Sequence, residues 1–153
     1  MKKLAIVVAS AGLCCTLVAQ ARPHQTEPAA VAVPDFWSGV KNSIQTHLGK
    51  PYAWGSSGLK SYDCSGFVWR VMYDNGVFFK RTTARKLYLS LPKPASGDDR
   101  KFGTIVFFDN LKHCGIVNDG KSFYHAATTA GTRLAPFTPF WRAKLVGFRR
   151  LQK

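Results

Sequence analysis

Residues 61–76 read SYDCSGFVWRVMYDNG. Cys64, Phe67, Val68, Val71 and Met72 recur at i, i+3, i+4, i+7 and i+8, the apolar face of an α-helix. Asp63 has the short acceptor side chain that caps a helix start, and Asn75-Gly76 suits a helix end. The pattern predicts a helix whose first turn carries a single thiol on its buried side. A cysteine there lies near unpaired amides and the positive end of the helix dipole, which favour the thiolate. A small cysteine packed inertly in a core fits this window as well, so the rest of the chain has to decide.

Upstream, Asp35 can cap a helix in which Phe36, Val40, Ile44 and Leu48 recur every four residues, with Gly49 just past its end. His47 reads as a surface residue of that helix. Downstream the period changes. Thr104–Phe108, Cys114–Val117, Ser122–Ala126 and Leu145–Phe148 are short β-rich runs. They are separated by Asp109-Asn110, by Asn118-Asp119-Gly120 and by a loop containing Pro136 and Pro139. Helices first and strands later indicate an α+β domain, N-terminal helices packed on an antiparallel sheet.

His113 and His125 fall on the two arms of one predicted hairpin, and its register decides whether they meet. A two-residue loop Asp119-Gly120 pairs Cys114 with His125 and sends His113 to the other face. A three-residue loop Asn118-Asp119-Gly120, with Gly120 left-handed, pairs Val117 with Lys121 and His113 with His125, and builds a dyad. A base histidine and a second that orients it are what a thiolate nucleophile requires.

The N-terminus has the layout of a secretory signal over residues 1–21: Met1-Lys2-Lys3, an apolar run Leu4–Val18, then Ala19-Gln20-Ala21. The run is shorter than the roughly 20 residues of a membrane span, so no stable membrane insertion is expected. Lipidation is disfavoured, because no small residue immediately precedes Cys14 or Cys15. Residues 22–34, rich in Ala, Pro and Val, read as a linker, which leaves 35–153 as one domain.

The chain carries 22 Lys and Arg against 8 Asp and Glu, and loss of Lys2 and Lys3 with the signal leaves a net charge of +12. In an exported protein this charge points to an acidic envelope polymer. Nucleic acid is not expected, because Lys80-Arg81, Arg85-Lys86, Arg100-Lys101 and Arg149-Arg150 are scattered pairs and form no block.

The order of "GKPYAWGSSG", "YDCSGFVWRVMYDNGVFFKRTT", "TIVFF", "HCGIV", "FYHAA" and "FWRAKLVGFRRL" resembles the NlpC-type family of papain-like cysteine peptidases, bacterial cell-wall hydrolases, over about residues 36 to 150. The resemblance implies a papain-like fold with Cys64 as nucleophile, His113 as general base and acid, and His125 as its orienting partner. It implies that Tyr52 helps to bind the oxyanion and that Asp63, with Ser65 beside the nucleophile, contacts substrate. Trp54 is a candidate cleft wall, or else core. The implied substrate is peptidoglycan, cut between D-glutamate and diaminopimelate or at the D-alanine to diaminopimelate crosslink. Relatives also cleave amides at muramic acid or transfer acyl groups. No cofactor is implied, and a monomer is expected. Thr104 stands where the family usually has aspartate, and Ser56-Ser57 replace a common glycine, which bears on substrate preference and not on the triad.

Two rival readings remain at this stage. One is an enzyme-free cationic envelope-binding module with a structural cysteine. The other is a zinc site from Cys64, His113, Cys114 and His125, disfavoured because the strand neighbours His113 and Cys114 point to opposite faces. For the same reason Cys114 should face away from the histidines, and no Cys64–Cys114 disulfide is expected.

Overall fold

The computed structural model describes residues 35–151. The signal segment and the linker expected over residues 1–34 lie outside them. In chain order the elements are α1 (Phe36–Thr46), α2 (Cys64–Asp74), α3 (Ala84–Ser90), β1 (Ile105–Phe108), β2 (His113–Val117), β3 (Ser122–Ala127), β4 (Gly131–Pro136), α4 (Pro139–Ala143) and β5 (Leu145–Arg149). The five strands form one antiparallel sheet in the order β4-β3-β2-β1-β5.

Alternation along the strands divides the core in two. Ile105, Phe107, Cys114, Ile116, Tyr124 and Ala126 pack with Val40, Ile44, Phe67, Val68, Val71 and Met72 of α1 and α2. Val106, Phe108, Val117 and Phe123 pack on the other side with Ala135, Phe137 and Trp141. The buried strands therefore read as apolar on both faces, unlike a sheet with one wet side.

Asp35 caps α1 through the amides of Trp37 and Ser38, and Asp63 caps α2 through the amide of Gly66, 2.6 Å away. A Cβ on Gly66 would stand 2.0 Å from the Ser56 carbonyl oxygen. Only glycine therefore lets the segment after Trp54 lie on the first turn of α2, where Ser56 accepts the Asp63 amide. Asn75 and left-handed Gly76 end α2, as expected.

His47 is a correction: it is buried, not on the surface. It follows Val40 and Ile44 at i+7 and i+3, so the helical period turns it inward. There Nδ1 meets the Tyr62 hydroxyl at 2.8 Å and Nε2 meets Asp74 at 2.6 Å. The pair joins the end of α1 to the end of α2.

The β2–β3 hairpin is a second correction. Val117 pairs with Phe123 and Ile116 with Tyr124, a slip of two residues from the expected register. The turn residues are Asp119, Gly120 and Lys121, flanked by the Asn118 amide donating to the Ser122 carbonyl. Gly120 does not take a left-handed φ. The Asp119 carboxylate closes the turn by accepting from the Lys121 amide and the Ser122 hydroxyl, both at 2.8 Å, and these bonds hold its carboxyl below the usual range. A slip of two preserves side-chain parity, so His113 and His125 still share a face, as diagonal neighbours.

Three elements had no counterpart in the periodicity. α3 starts at the Thr83 cap, β4 is an edge strand with Arg133 and Leu134 exposed, and α4 begins at Pro139 behind the Thr138 cap. The proline that suggested a loop is the first residue of a helix.

Candidate active site

Cys64 opens α2 on the helix-facing side of the sheet, while the two histidines lie on the opposite side. They meet because His113 is the first residue of β2, where the strand has just left a tight loop. That loop holds three consecutive non-glycine residues at positive φ: Asp109 at 52°, Asn110 at 52° and Leu111 at 68°. Strained backbone of this kind is concentrated at functional sites.

Cys64 is 7% exposed, and its Sγ lies 3.7 Å from the Lys112 carbonyl oxygen. Its thiol is brought down to about 5, chiefly by a hydrogen bond from Cys114 and then by the hydrogen bond and charge of His113, against the upward pull of burial. His113 Nε2 lies 2.8 Å from His125 Nδ1. His125, 3% exposed, is pushed down to about 3, first by burial and then by the His113 charge. It therefore stays neutral and accepts from the Nε2–H of His113, leaving Nδ1 as the His113 nitrogen that faces the thiol. The arrangement can hold a thiolate beside an imidazolium, and can deliver the imidazolium proton to a leaving group.

Trp141, unassigned in the sequence reading, covers this pair. Its ring stacks on His113 at 5.3 Å and 23°, and stands edge-on to His125 at 5.2 Å. The signal was present in Thr138-Pro139, a cap followed by an N1 proline, which starts a helix three residues before the tryptophan.

Asp63 and Ser65 are engaged internally. The Asp63 carboxylate accepts from the Gly66 and Gly55 amides, the Ser65 hydroxyl, and Arg81 Nη2 at 2.6 Å to each oxygen. Ser65 in turn accepts from Arg81 at 2.9 Å. Together they lock the start of α2, the Trp54-Gly55 turn and the segment before α3 into one piece. Arg81 is the residue the sequence reading missed here.

Tyr52 and Trp54 stand at the junction of two clefts. One, about 720 Å³, is lined by Cys64, Asp63, Ser65, Arg81, Arg85 and Lys86, and the other, about 450 Å³, by His113, His125, Asp109, Trp141, Phe140 and Lys144. Lys112 borders both. Trp54 is 88% exposed, so it is a rim residue and not core. Burial, then the charges of Cys64 and Asp63, raise the Tyr52 phenol above its usual range, which keeps it a hydroxyl donor.

Residues 49–150 match the model of the NlpC/P60 family. The chain belongs to the NlpC/P60 family. Its fold is the papain-like α+β fold of that family, as expected. Over 110 residues it is 34% identical to the "Probable endopeptidase p60" of Listeria seeligeri, an alignment that takes in 70% of this chain and 21% of that protein. The chain thus spans about a fifth of the length of the Listeria p60 relatives it matches. It is 28% identical over 145 residues to "Probable endopeptidase NlpC" of Escherichia coli, covering 88% of this chain and 93% of that one. RipD of Mycobacterium tuberculosis, a non-catalytic NlpC/p60 domain protein adapted to peptidoglycan binding, shares the fold at TM-score 0.64 and 12% identity, over 78% of this chain and 100% of that one. The fold is therefore common to proteins with and without activity, and the site must supply the argument for catalysis.

Proposed function

We propose that the protein is an exported cysteine peptidase that hydrolyses amide bonds in peptidoglycan stem peptides through a thioester on Cys64. The His113–His125 pair at 2.8 Å, with His113 beside Cys64 at the start of α2, carries this reading, because a buried neutral His125 that orients His113 toward a lowered thiol is the arrangement nucleophilic catalysis needs. In the cycle, the thiolate attacks the scissile carbonyl. The Cys64 backbone amide and the Tyr52 hydroxyl donate to the oxyanion, and His113 gives its proton to the leaving amine. Water activated by His113 then cleaves the thioester.

The general acid sets the direction of the substrate. The leaving amine lies on the side of His113, in the cleft with Trp141 and Phe140, and the acyl group lies in the cleft with Cys64 and Arg81. On the acyl side Arg85, Lys86 and Lys112 are exposed and enter no ion pair among the described residues. A D-glutamyl acyl group is a diacid residue: when one carboxyl is the scissile carbonyl, the other is a free carboxylate that these cations attract. D-alanine has no second carboxyl. The charge pattern thus supports the D-glutamyl to diaminopimelate bond over the D-alanyl crosslink.

Mass spectrometry of the fragments that the purified protein releases from defined muropeptides tests both levels. New termini at D-glutamate are expected. Cleavage confined to the D-alanyl crosslink overturns the bond assignment. Absence of any cleavage, together with slow alkylation of Cys64 at neutral pH, overturns catalysis and favours a binding module.

A further inference from the structure

The cleft on the His113 side carries charge of both signs, and the backbone explains how the two come together. β1 and β5 pair with Phe108 opposite Leu145 after a bulge, which sets Asp109 against Lys144 at one end of the strand pair. The Asp109 amide donates to the Lys144 carbonyl at 2.9 Å, and the Asp109 carbonyl accepts from the Lys112 amide at 2.9 Å. Both side chains line the cleft, yet neither enters an ion pair among the described residues. Lys144 Nζ stands instead over the Phe140 ring, 4.3 Å from its centre. Asp109 is the only acid among the described residues that line this cleft. Asp63, the acid of the neighbouring cleft, is already taken up by Arg81.

We propose that Asp109 and Lys144 form a subsite for the side-chain end of the leaving diamino acid, and that through Asp109 the protein selects stems whose side-chain amine is free and not crosslinked. This subsite rests on the peptidase reading of the site and adds to it which stems are cut. Diaminopimelate ends in a carbon that bears both an ammonium and a carboxylate, joined by methylenes to the carbon that carries the leaving amine. A carboxylate and an ammonium that are neighbours along the backbone but not paired with each other match that zwitterion, charge against charge. Trp141 and Phe140, the latter 58% exposed, give the methylenes an apolar wall. Lys112 borders both clefts, and its carbonyl oxygen lies 3.7 Å from Cys64 Sγ, so it belongs to the scissile bond and not to the far end of the side chain. A crosslink acylates the side-chain amine, and the ammonium becomes a neutral amide. Asp109 then has no cation to meet. Lysine in the same position carries the ammonium without the carboxylate, so it satisfies Asp109 and leaves Lys144 unused.

Three stem tripeptides separate the two charges: L-alanyl-γ-D-glutamyl peptides ending in meso-diaminopimelate, in L-lysine, or in Nε-acetyl-L-lysine. The quantity compared is kcat/KM for release of the last residue, measured by chromatography for wild type, Asp109→Asn and Lys144→Gln. Asparagine tolerates the positive φ at position 109, and circular dichroism checks that both variants fold. Wild type should favour lysine over Nε-acetyl-lysine about fivefold, and diaminopimelate over lysine by a similar factor. Asp109→Asn should bring the first ratio close to one, and Lys144→Gln the second. A lysine to acetyl-lysine ratio that is the same in wild type and Asp109→Asn overturns the selection for free amines. Equal cleavage of all three peptides by wild type overturns the subsite and leaves the peptidase reading intact, whereas cleavage of none overturns both.

Discussion

His125→Asn tests the electrostatics of the site through folding and catalysis together. His125 is 3% exposed and is held neutral down to about pH 3, against 6.5 for a free imidazole. The folded-state value is depressed for a base, so between these limits the unfolded chain binds the extra proton. The contribution of His125 to stability is then whole above pH 6.5 and is lost as the pH falls toward 3. Each pH unit of that descent removes about 1.4 kcal/mol, so acidification from pH 6.5 to 4 should cost wild type about 3 kcal/mol on this account. Asparagine does not titrate, and its amide oxygen can still accept from His113. Urea unfolding of wild type and His125→Asn at pH 7, 5.5 and 4, followed by tryptophan fluorescence, should show the variant losing about 3 kcal/mol less across the series. Parallel losses in the two proteins refute the buried neutral histidine. The same variant should retain more muropeptide cleavage at pH 7 than His125→Ala, which leaves His113 without an acceptor, and equal activity in the two refutes the orienting role.

Cys64→Ala should abolish muropeptide hydrolysis while costing no more than about 2 kcal/mol in thermal or urea unfolding, since it removes one sulfur and strands no charge. Asp63→Ala deletes the cap of α2 and strands Arg81, whose side chain is 25% exposed. The expected loss is about 3 kcal/mol, read by urea unfolding, and a near-neutral result contradicts the interlock drawn around α2. Gly120→Val should fall within about 0.5 kcal/mol of wild type in thermal melting, because Gly120 faces open space without left-handed φ. Trp141→Ala should lower kcat/KM on a stem-peptide substrate about tenfold by freeing the His113 ring, with circular dichroism showing the sheet intact.

Residues 61–76 alone specify the helix that starts at Asp63, because capping and a 3.6-residue period are local properties that this stretch expresses completely. For the histidines the sequence left two parities open: a two-residue turn separates His113 from His125, whereas a three-residue turn, or any even slip from it, leaves them on one face. The order of motifs added the family, and with it the expectation that Cys64 pairs with those histidines. Folding settles whatever depends on partners far along the chain. The hairpin register turned on the Asp119 carboxylate closing its own turn, a choice between loops that periodicity weighs equally. His47 went inside because Tyr62 and Asp74 were there to satisfy both ring nitrogens, which its own helix could not announce. Arg81 reached back 18 residues to Asp63, and Trp141 reached 28 residues to His113. Cys114 joined Cys64 in one core only when β2 was laid under α2. Long-range contacts of this kind carry no period, and so the residues that surround Cys64 and the two histidines become visible only in the folded chain.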